Sequence, residues 1–74
     1  MDHHLDARGL KCPLPVLRTN TAIRALAPGD ILAIEATDAA APEEFRAFCE
    51  TTGHELLSTA AAGGVFTFRI RRVG

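Results

Sequence analysis

The sequence predicts a two-layer α/β sandwich whose elements follow one another in the order β-α-β-α-β-β. In two segments apolar residues recur at helical spacing, which predicts two helices. Around these segments lie short runs that are either continuously apolar or alternately apolar and polar, which predicts strands. Gly or Pro residues mark the connections between the elements. Because helices that alternate with strands cover the apolar face of a sheet, two layers follow. A chain of 74 residues suffices for one small domain, which we expect to span residues 1–74 with its core at about 5–72.

The first strand is predicted over residues 5–7, after a loose terminal segment of residues 1–4. A corner follows, in which Cys12 precedes a proline. Proline disfavours the α conformation in the residue before it, so Cys12 is expected to be extended and to act as the N-cap of the first helix. Pro13 then occupies N1, where its fixed φ suits a helix, and Pro15 occupies N3.

Cys12 is the candidate catalytic residue, and the helix start that supports it consists of Pro13, Leu14 and Pro15. Since Pro15 has no N–H, the Leu14 N–H remains as the ordinary donor to the N-cap side chain, and a thiolate accepts better than a thiol. The positive end of the helix dipole lies at the same place. Three cations are close in sequence: Arg8, Lys11 and Arg18. We therefore predict that the pKa of Cys12 lies below the free value of about 8.5, although the residues alone also allow a small apolar residue that happens to precede a proline.

The first helix is predicted to end before a turn at residues 27–30. Its core candidates, which share one face at helical spacing, are Val16, Thr19, Ile23 and Leu26. Leu14 and Leu17 lie off this face. Exposed leucines beside a reactive cysteine would form a docking surface, although single surface leucines are also common. The candidates for partner docking are Arg8, Lys11, Leu14, Leu17 and Arg18.

A strand over residues 31–37 precedes a second helix, which Pro42 opens. Glu43 and Glu44 lie in the first turn of this helix, where the dipole favours acids. Cys49 falls on the inward stripe and is most simply an inert core residue. The whole stripe consists of Phe45, Phe48, Cys49 and Thr52.

The last third of the chain predicts a β-hairpin. Strands over residues 55–59 and 65–71 are joined around residues 60–64, where Gly63 and Gly64 supply the bend. The first two strands, which are linked through a helix, are expected to be parallel.

Composition restricts the function classes. A net charge of −1 gives no overall attraction to nucleic acid or to a membrane surface. No apolar run approaches the ~20 residues of a membrane span and no leader precedes the first strand, so we expect a cytoplasmic protein. The two cysteines, Cys12 and Cys49, are not a disulfide framework and fit a reducing compartment.

Three alternatives to a reactive cysteine remain open from the residues. A nucleic-acid-binding module would contact phosphates through Arg8, Lys11, Arg18, Arg69, Arg71 and Arg72, but the Phe residues all fit core stripes and leave no stacking platform. A metal site would combine Cys12, Cys49 and histidines in a spacing that matches no standard zinc pattern, so no metal is expected. A regulatory domain would bind partners without using Cys12. His54 could approach Cys12 in space as a catalytic partner.

Several short motifs occur in a fixed order along the chain. A Cys-Pro-Leu-Pro box spans residues 12–15, and the other landmarks are Leu5-Asp6, Gly9-Leu10, Pro28-Gly29-Asp30, Thr37-Asp38, Phe48-Cys49, Gly53-His54-Glu55-Leu56, and Gly64 with Phe66 and Phe68. With these landmarks, the sequence resembles the TusA family of small sulfur-carrier proteins over nearly its whole length. It departs from the residues common in that family at Leu14, Ala39 and residues 44–46, which leaves the carrier chemistry intact.

The resemblance implies a four-stranded mixed sheet with two helices on one face and a persulfide carried on Cys12. It further implies a sulfurtransferase that takes sulfane sulfur from a cysteine desulfurase or a rhodanese-like donor and hands it to a DsrE-type or other acceptor protein. In the family this sulfur enters tRNA 2-thiouridine, molybdenum-cofactor or sulfur-oxidation pathways. No cofactor, direct nucleic-acid contact or membrane association is implied, and we expect a monomer.

Overall fold

The six elements of the chain form one sheet and two helices. The computed structural model describes residues 2–74. The elements are β1 (Asp2–Ala7), α1 (Leu14–Arg24), β2 (Ile31–Ala36), α2 (Ala41–Thr52), β3 (Glu55–Ala62) and β4 (Val65–Arg71). The predicted order β-α-β-α-β-β is therefore confirmed.

The four strands lie in the spatial order β1-β2-β4-β3. β1 runs parallel to β2, as predicted, and β4 is antiparallel to both of its neighbours, which makes the sheet mixed. The central strands bury side chains on one face only, because residues two apart along a strand point the same way. These buried residues are Leu32, Ile34, Ala36, Phe68 and Ile70. Both helices pack on this face, so the predicted two-layer α/β sandwich is confirmed.

The core lies between this face of the sheet and the helices. Phe45 of α2 stacks on Phe68 of β4 with ring centroids 4.4 Å apart, and both side chains are fully buried. From α1, Ile23 and Thr19 are buried, as the predicted stripe requires. The Thr19 hydroxyl donates to the Pro15 carbonyl at 2.8 Å, which satisfies a polar group that burial would otherwise leave without a partner.

The first strand is longer than its predicted extent of residues 5–7. β1 pairs with β2 along its whole length, from Asp2 opposite Ile31 to Ala7 opposite Ala36. The prediction of a loose terminus was therefore wrong for residues 2–4, whereas Met1 lies outside the described residues. The polar residues 2–4 have no apolar pattern of their own, and backbone pairing with a neighbouring strand gives them their conformation.

The end of β3 and the position of Thr52 also differ from the predictions. β3 continues through the alanines to Ala62, because these residues pair with β4 as far as Ala62 opposite Val65, and only Gly63 and Gly64 form the turn. The predicted inward position of Thr52 was wrong, since Thr52 is exposed at the last residue of α2. Its hydroxyl donates to the Phe48 carbonyl at 2.7 Å, which satisfies it within the helix itself.

Candidate functional site

Cys12 lies where the β1–α1 loop meets the β2–α2 loop. The two loops start at the same edge of the sheet because β1 and β2 are parallel and end side by side, with Ala7 opposite Ala36. Two hydrogen bonds join the loops. The Gly9 N–H donates to Thr37 Oγ1 at 2.9 Å, and the Cys12 N–H donates to Asp38 Oδ2 at 3.0 Å. The backbone of Cys12 is thus held by a side chain from the other loop.

Helix α1 begins one residue later than the sequence predicted. Pro13 is the N-cap, with φ −99° and ψ 16°, so Leu14 and Pro15 are the first two helical residues. The Cys12–Pro13 peptide bond is cis. The Leu14 N–H, which was expected to serve the Cys12 side chain, donates instead to the Lys11 carbonyl at 2.8 Å. The assignment of Cys12 as N-cap, with Pro13 at N1 and Pro15 at N3, was therefore wrong, because this tight turn uses the one free donor.

The Cys12 thiol is exposed and donates a hydrogen bond to Oε2 of Glu44, in the first turn of α2. Glu44 is half-buried, and its other oxygen, Oε1, is buried without a hydrogen-bond partner among residues 2–74. Asp38 brings a second carboxylate close. The thiol sulfur and one oxygen from each carboxylate all lie within 4.8 Å of one another. This spacing would admit a cation.

The acidic surroundings raise the pKa of the Cys12 thiol above its ordinary value. The hydrogen bond to Glu44 has the largest effect, followed by desolvation and then by the negative charges of Glu44 and Asp38, all of which favour the protonated form. The prediction of a lowered pKa was therefore wrong. Asp38 and Glu44 are 26 and 32 residues away along the chain, so no local pattern around Cys12 reports their proximity.

The cations near Cys12 in sequence do not offset these acids. Arg8 is paired with Asp6, to which it donates from Nε at 2.9 Å and from its terminal nitrogen at 3.0 Å. This pairing lowers the pKa of Asp6 to about 2. Lys11 and Arg18 are exposed, and neither forms an ion pair within the described part of the chain. Arg8 is thus turned toward β1, while Lys11 and Arg18 present their charges to solvent.

An apolar groove of about 310 Å³ runs between α1 and α2 beside Cys12. Its lining consists of Pro13, Val16, Glu44, Ala47, Phe48, Thr51 and Thr52. Cys12 itself does not line the groove, but Glu44 both lines it and contacts the thiol, so the groove lies next to the sulfur. Leu14 and Leu17, on α1, are 42% and 53% exposed. Their predicted exposure is confirmed, and their role in docking stays a prediction.

The second cysteine and His54 lie apart from this cluster. Cys49 is buried in α2, as predicted, and burial raises the pKa of its thiol to about 11. The His54 ring accepts a hydrogen bond from the Val73 N–H at Nδ1, at 3.1 Å, and lies 6.1 Å from the Phe48 ring. Burial, and then the charge of Arg72, lowers the pKa of His54, which favours this neutral acceptor form. Glu44, rather than His54, is the side chain that contacts the sulfur.

Native protein should therefore be alkylated at one thiol only. Iodoacetamide is expected to modify Cys12 and to leave Cys49 unmodified until the chain is unfolded, because Cys49 is both buried and protonated. Peptide mass mapping before and after addition of guanidinium chloride measures this difference. Rapid modification of Cys49 in native protein would contradict the packing described above.

The arginines near the C-terminus form ion pairs and hydrogen bonds with other residues of the protein. Arg69 pairs with Asp2 at 3.7 Å, and Arg71 pairs with Glu55. Arg72 donates to backbone carbonyls at the end of α1, including that of Arg24 at 2.9 Å, where a cation is favoured by the helix dipole. The aromatic rings are buried or half-buried in the core. The burial of the rings argues against the nucleic-acid-binding alternative, because it leaves no exposed platform on which bases could stack.

Neither helix in residues 2–74 has the length and apolar character that crossing a membrane requires.

Comparison with known proteins identifies relatives over nearly the whole chain. A family model described as sulfurtransferase TusA matches residues 3–72. A relative from Neisseria meningitidis is 49% identical over 67 residues, which is 90% of each chain. The sulfur carrier protein TusA of Allochromatium vinosum is 42% identical over 71 residues, which cover 96% of this chain and 93% of that one.

A solved structure has the same fold. The SirA-like protein from Desulfitobacterium hafniense superposes with a TM-score of 0.84 over 97% of this chain and 99% of its own, at 22% sequence identity. At that identity the likeness shows the fold alone. The family model and the sequence relatives confirm the resemblance noted from the motifs, and the chain belongs to the TusA family of sulfurtransferases.

Proposed function

We propose that this protein is a sulfur carrier that receives sulfane sulfur as a persulfide on Cys12 and hands it to an acceptor protein. One observation carries the proposal: Cys12 is the exposed thiol of the chain, and the residue that follows it, Pro13, lines an apolar groove. Relatives that cover the whole domain carry the name sulfur carrier protein TusA. Both facts support a role in which the sulfur atom of Cys12 is reached by other proteins.

The chemistry consists of two thiol–persulfide exchanges. In the first, the Cys12 sulfur attacks the outer sulfur of a donor persulfide and the donor leaves as a thiol; in the second, an acceptor thiol removes that outer sulfur from Cys12. Loading requires that the donor's outer sulfur come into contact with Sγ, and release requires that the acceptor's sulfur come into contact with the sulfur that Sγ carries. An exposed position satisfies both requirements, whereas the buried Cys49 does not.

The proposed donors are a cysteine desulfurase or a rhodanese-like protein, and the proposed acceptor is a DsrE-type or similar protein. The sulfur would then enter tRNA 2-thiouridine, the molybdenum cofactor or sulfur oxidation. The family membership of the chain supports the two kinds of partner. The direct test is incubation with a cysteine desulfurase, pyridoxal phosphate and cysteine, followed by intact mass measurement.

We expect one added sulfur atom per chain, located on Cys12 by peptide mapping and removed by a thiol reductant. A low-molecular-weight persulfide serves as a second donor, because it reaches any exposed thiol without a docking step. A protein that gains no sulfur from either donor would refute the proposal. Gain from the small persulfide alone would exclude the desulfurase as its partner.

Leu14 and Leu17 are proposed to contact the protein that loads Cys12. Their exposed surfaces lie on the helix that starts next to the thiol, and since about half of each side chain is exposed, covering it contributes roughly 0.7–1.5 kcal/mol per leucine. The double change Leu14→Ser and Leu17→Ser is therefore expected to slow loading by a protein donor roughly tenfold to hundredfold. Loading rates measured by mass spectrometry give the comparison.

The matched control for that variant is Leu57→Ser, which removes a leucine that is 39% exposed on β3, outside the loops that carry Cys12. We expect this change to leave loading by the same protein donor within about twofold of the starting protein, since scattered exposed leucines contribute little. Equal slowing by both variants would mean that loss of exposed apolar surface in general, rather than this helix, is responsible.

A further inference from the structure

We propose that Glu44 is the proton-transfer group of the sulfur exchange, taking the proton from Cys12 when sulfur is loaded and returning it when sulfur is released. This inference rests on the proposed function, because it assigns a second catalytic residue to the same reaction. The site is then a thiol–carboxylate pair built from two elements that are distant in sequence.

The geometry of the pair supports this assignment. Oε2 of Glu44 accepts the hydrogen bond of the Cys12 thiol, so the proton already lies on the path between the two atoms. The Glu44 side chain has no other hydrogen-bond or ion-pair partner among residues 2–74, and its Oε1 is buried and unpartnered. Asp38, the second acid at the site, is occupied by the Cys12 N–H and holds the backbone in place. Of the two acids, Glu44 is the one whose oxygen accepts the thiol proton.

The surroundings of the thiol give such a group a function. Glu44 and Asp38 raise the pKa of the Cys12 thiol, which lowers the fraction of thiolate that could attack a persulfide. A carboxylate that accepts the proton during the attack removes this limitation, because the thiol then need not ionise beforehand. The same residue that suppresses the free thiolate would therefore permit the reaction once a donor persulfide is in contact.

The loading step balances as follows. Sγ of Cys12 bonds to the outer sulfur of the donor persulfide, and the sulfur–sulfur bond of the donor breaks with its electron pair on the donor's inner sulfur. The thiol proton moves to Oε2 of Glu44 and then to the donor thiolate, which leaves as a thiol. The products are a persulfide on Cys12 and a reduced donor. No oxidant or reductant is consumed, since the sulfane sulfur keeps its oxidation state.

Release uses the same path in the opposite direction. The acceptor thiol gives its proton to Glu44 as its sulfur bonds to the outer sulfur on Cys12. The bond between that sulfur and Sγ breaks, and Glu44 protonates the Cys12 thiolate that leaves. The carboxylate is regenerated at the end of each step, so Glu44 acts as base and acid in turn.

Glu44→Gln tests the assignment because it removes the proton acceptor and the charge while it keeps the shape. Two rates are measured on the same samples: sulfur transfer to Cys12 from glutathione persulfide at pH 7, and alkylation of Cys12 by iodoacetamide from pH 6 to 10. We expect the rate of sulfur transfer to fall about 100-fold, which is the lower end of the rate contribution typical of a positioned acid–base group. The alkylation midpoint should move to lower pH, since the negative charge that opposes ionisation is lost.

The matched control is Glu43→Gln, an exposed acid in the same helical turn that has no contact with Cys12. It makes the same change in net charge and should leave both rates close to those of the unchanged protein. Protection of Cys49 from alkylation shows in every sample that the variant is folded.

The opposite signs of the two effects make the test decisive. If Glu44 only suppresses the thiolate, Glu44→Gln will accelerate both sulfur transfer and alkylation, and the proposal is overturned. Transfer at an unchanged rate overturns it as well. Failure of the proposed function has a different signature, because the unchanged protein would then take up no sulfur from glutathione persulfide at all.

Discussion

Replacement of Cys12 by serine is expected to abolish sulfur loading completely. A hydroxyl fills nearly the same volume but does not form a persulfide, and Cys49 is too buried to replace Cys12. Intact mass after incubation with a sulfur donor should therefore show no added sulfur that a reductant removes. Because Cys12 is exposed and lies outside the core, the variant should unfold at nearly the same temperature as the unchanged protein.

The control for this variant is Cys49→Ala, which removes the other thiol and should still load one sulfur atom. If Cys12→Ser still gained sulfur and Cys49→Ala did not, the reactive thiol would be the buried Cys49, which would contradict the site described here.

Cells that depend on the protein offer a further test. If Cys12→Ser retained full activity there, the regulatory-domain alternative would be favoured over sulfur transfer.

Replacement of Phe45 by alanine is expected to be the most destabilising single change in the core. Its ring is fully buried and stacks on Phe68, so the change removes both buried area and a ring contact. Phe→Ala substitutions in cores cost about 3–5 kcal/mol, which is a large part of the roughly 5–15 kcal/mol that stabilises a small domain. The midpoint of thermal unfolding should fall by roughly 10–40 °C.

Circular dichroism during heating measures this change, and Phe66→Ala is the matched control. Phe66 is half-buried at the rim, with its ring centroid 6.4 Å from that of Phe68, so the same chemical change should cost less there. Equal losses in the two variants would show that the core is not centred on the Phe45–Phe68 stack. Iodoacetamide labelling of Cys49 provides an independent readout, since Cys49 lies on the same helix as Phe45.

The sequence predicted most of the architecture because the main signals are local. The alternation of Leu32, Ile34 and Ala36 identified a strand face that is buried in the structure. The helical spacing of Phe45, Phe48 and Cys49 identified the face of α2 that packs on the sheet. These patterns report which side of an element faces the core, and that is decided by the element's own residues.

Errors occurred where a residue's partner is remote in sequence. Residues 2–4 join β1 through pairing with β2, and the alanines at the end of β3 are strand residues through pairing with β4. One error has a local cause: helix α1 starts one residue later than predicted because the Leu14 N–H donates to the Lys11 carbonyl, three residues before it. In each case backbone hydrogen bonding overrode the weak preference of the side chains.

The sequence by itself determined that Cys12 lies at a loop-to-helix corner, that Cys49 is buried, and that Leu14 and Leu17 face solvent, since each follows from neighbouring residues. Only the tertiary structure decided the electrostatics of the thiol. The parallel pairing of β1 with β2 places two loops side by side, and this brings Asp38 and Glu44 to Cys12 although they lie 26 and 32 residues away along the chain. Because charge acts through space rather than along the chain, the raised pKa of Cys12 follows from this packing.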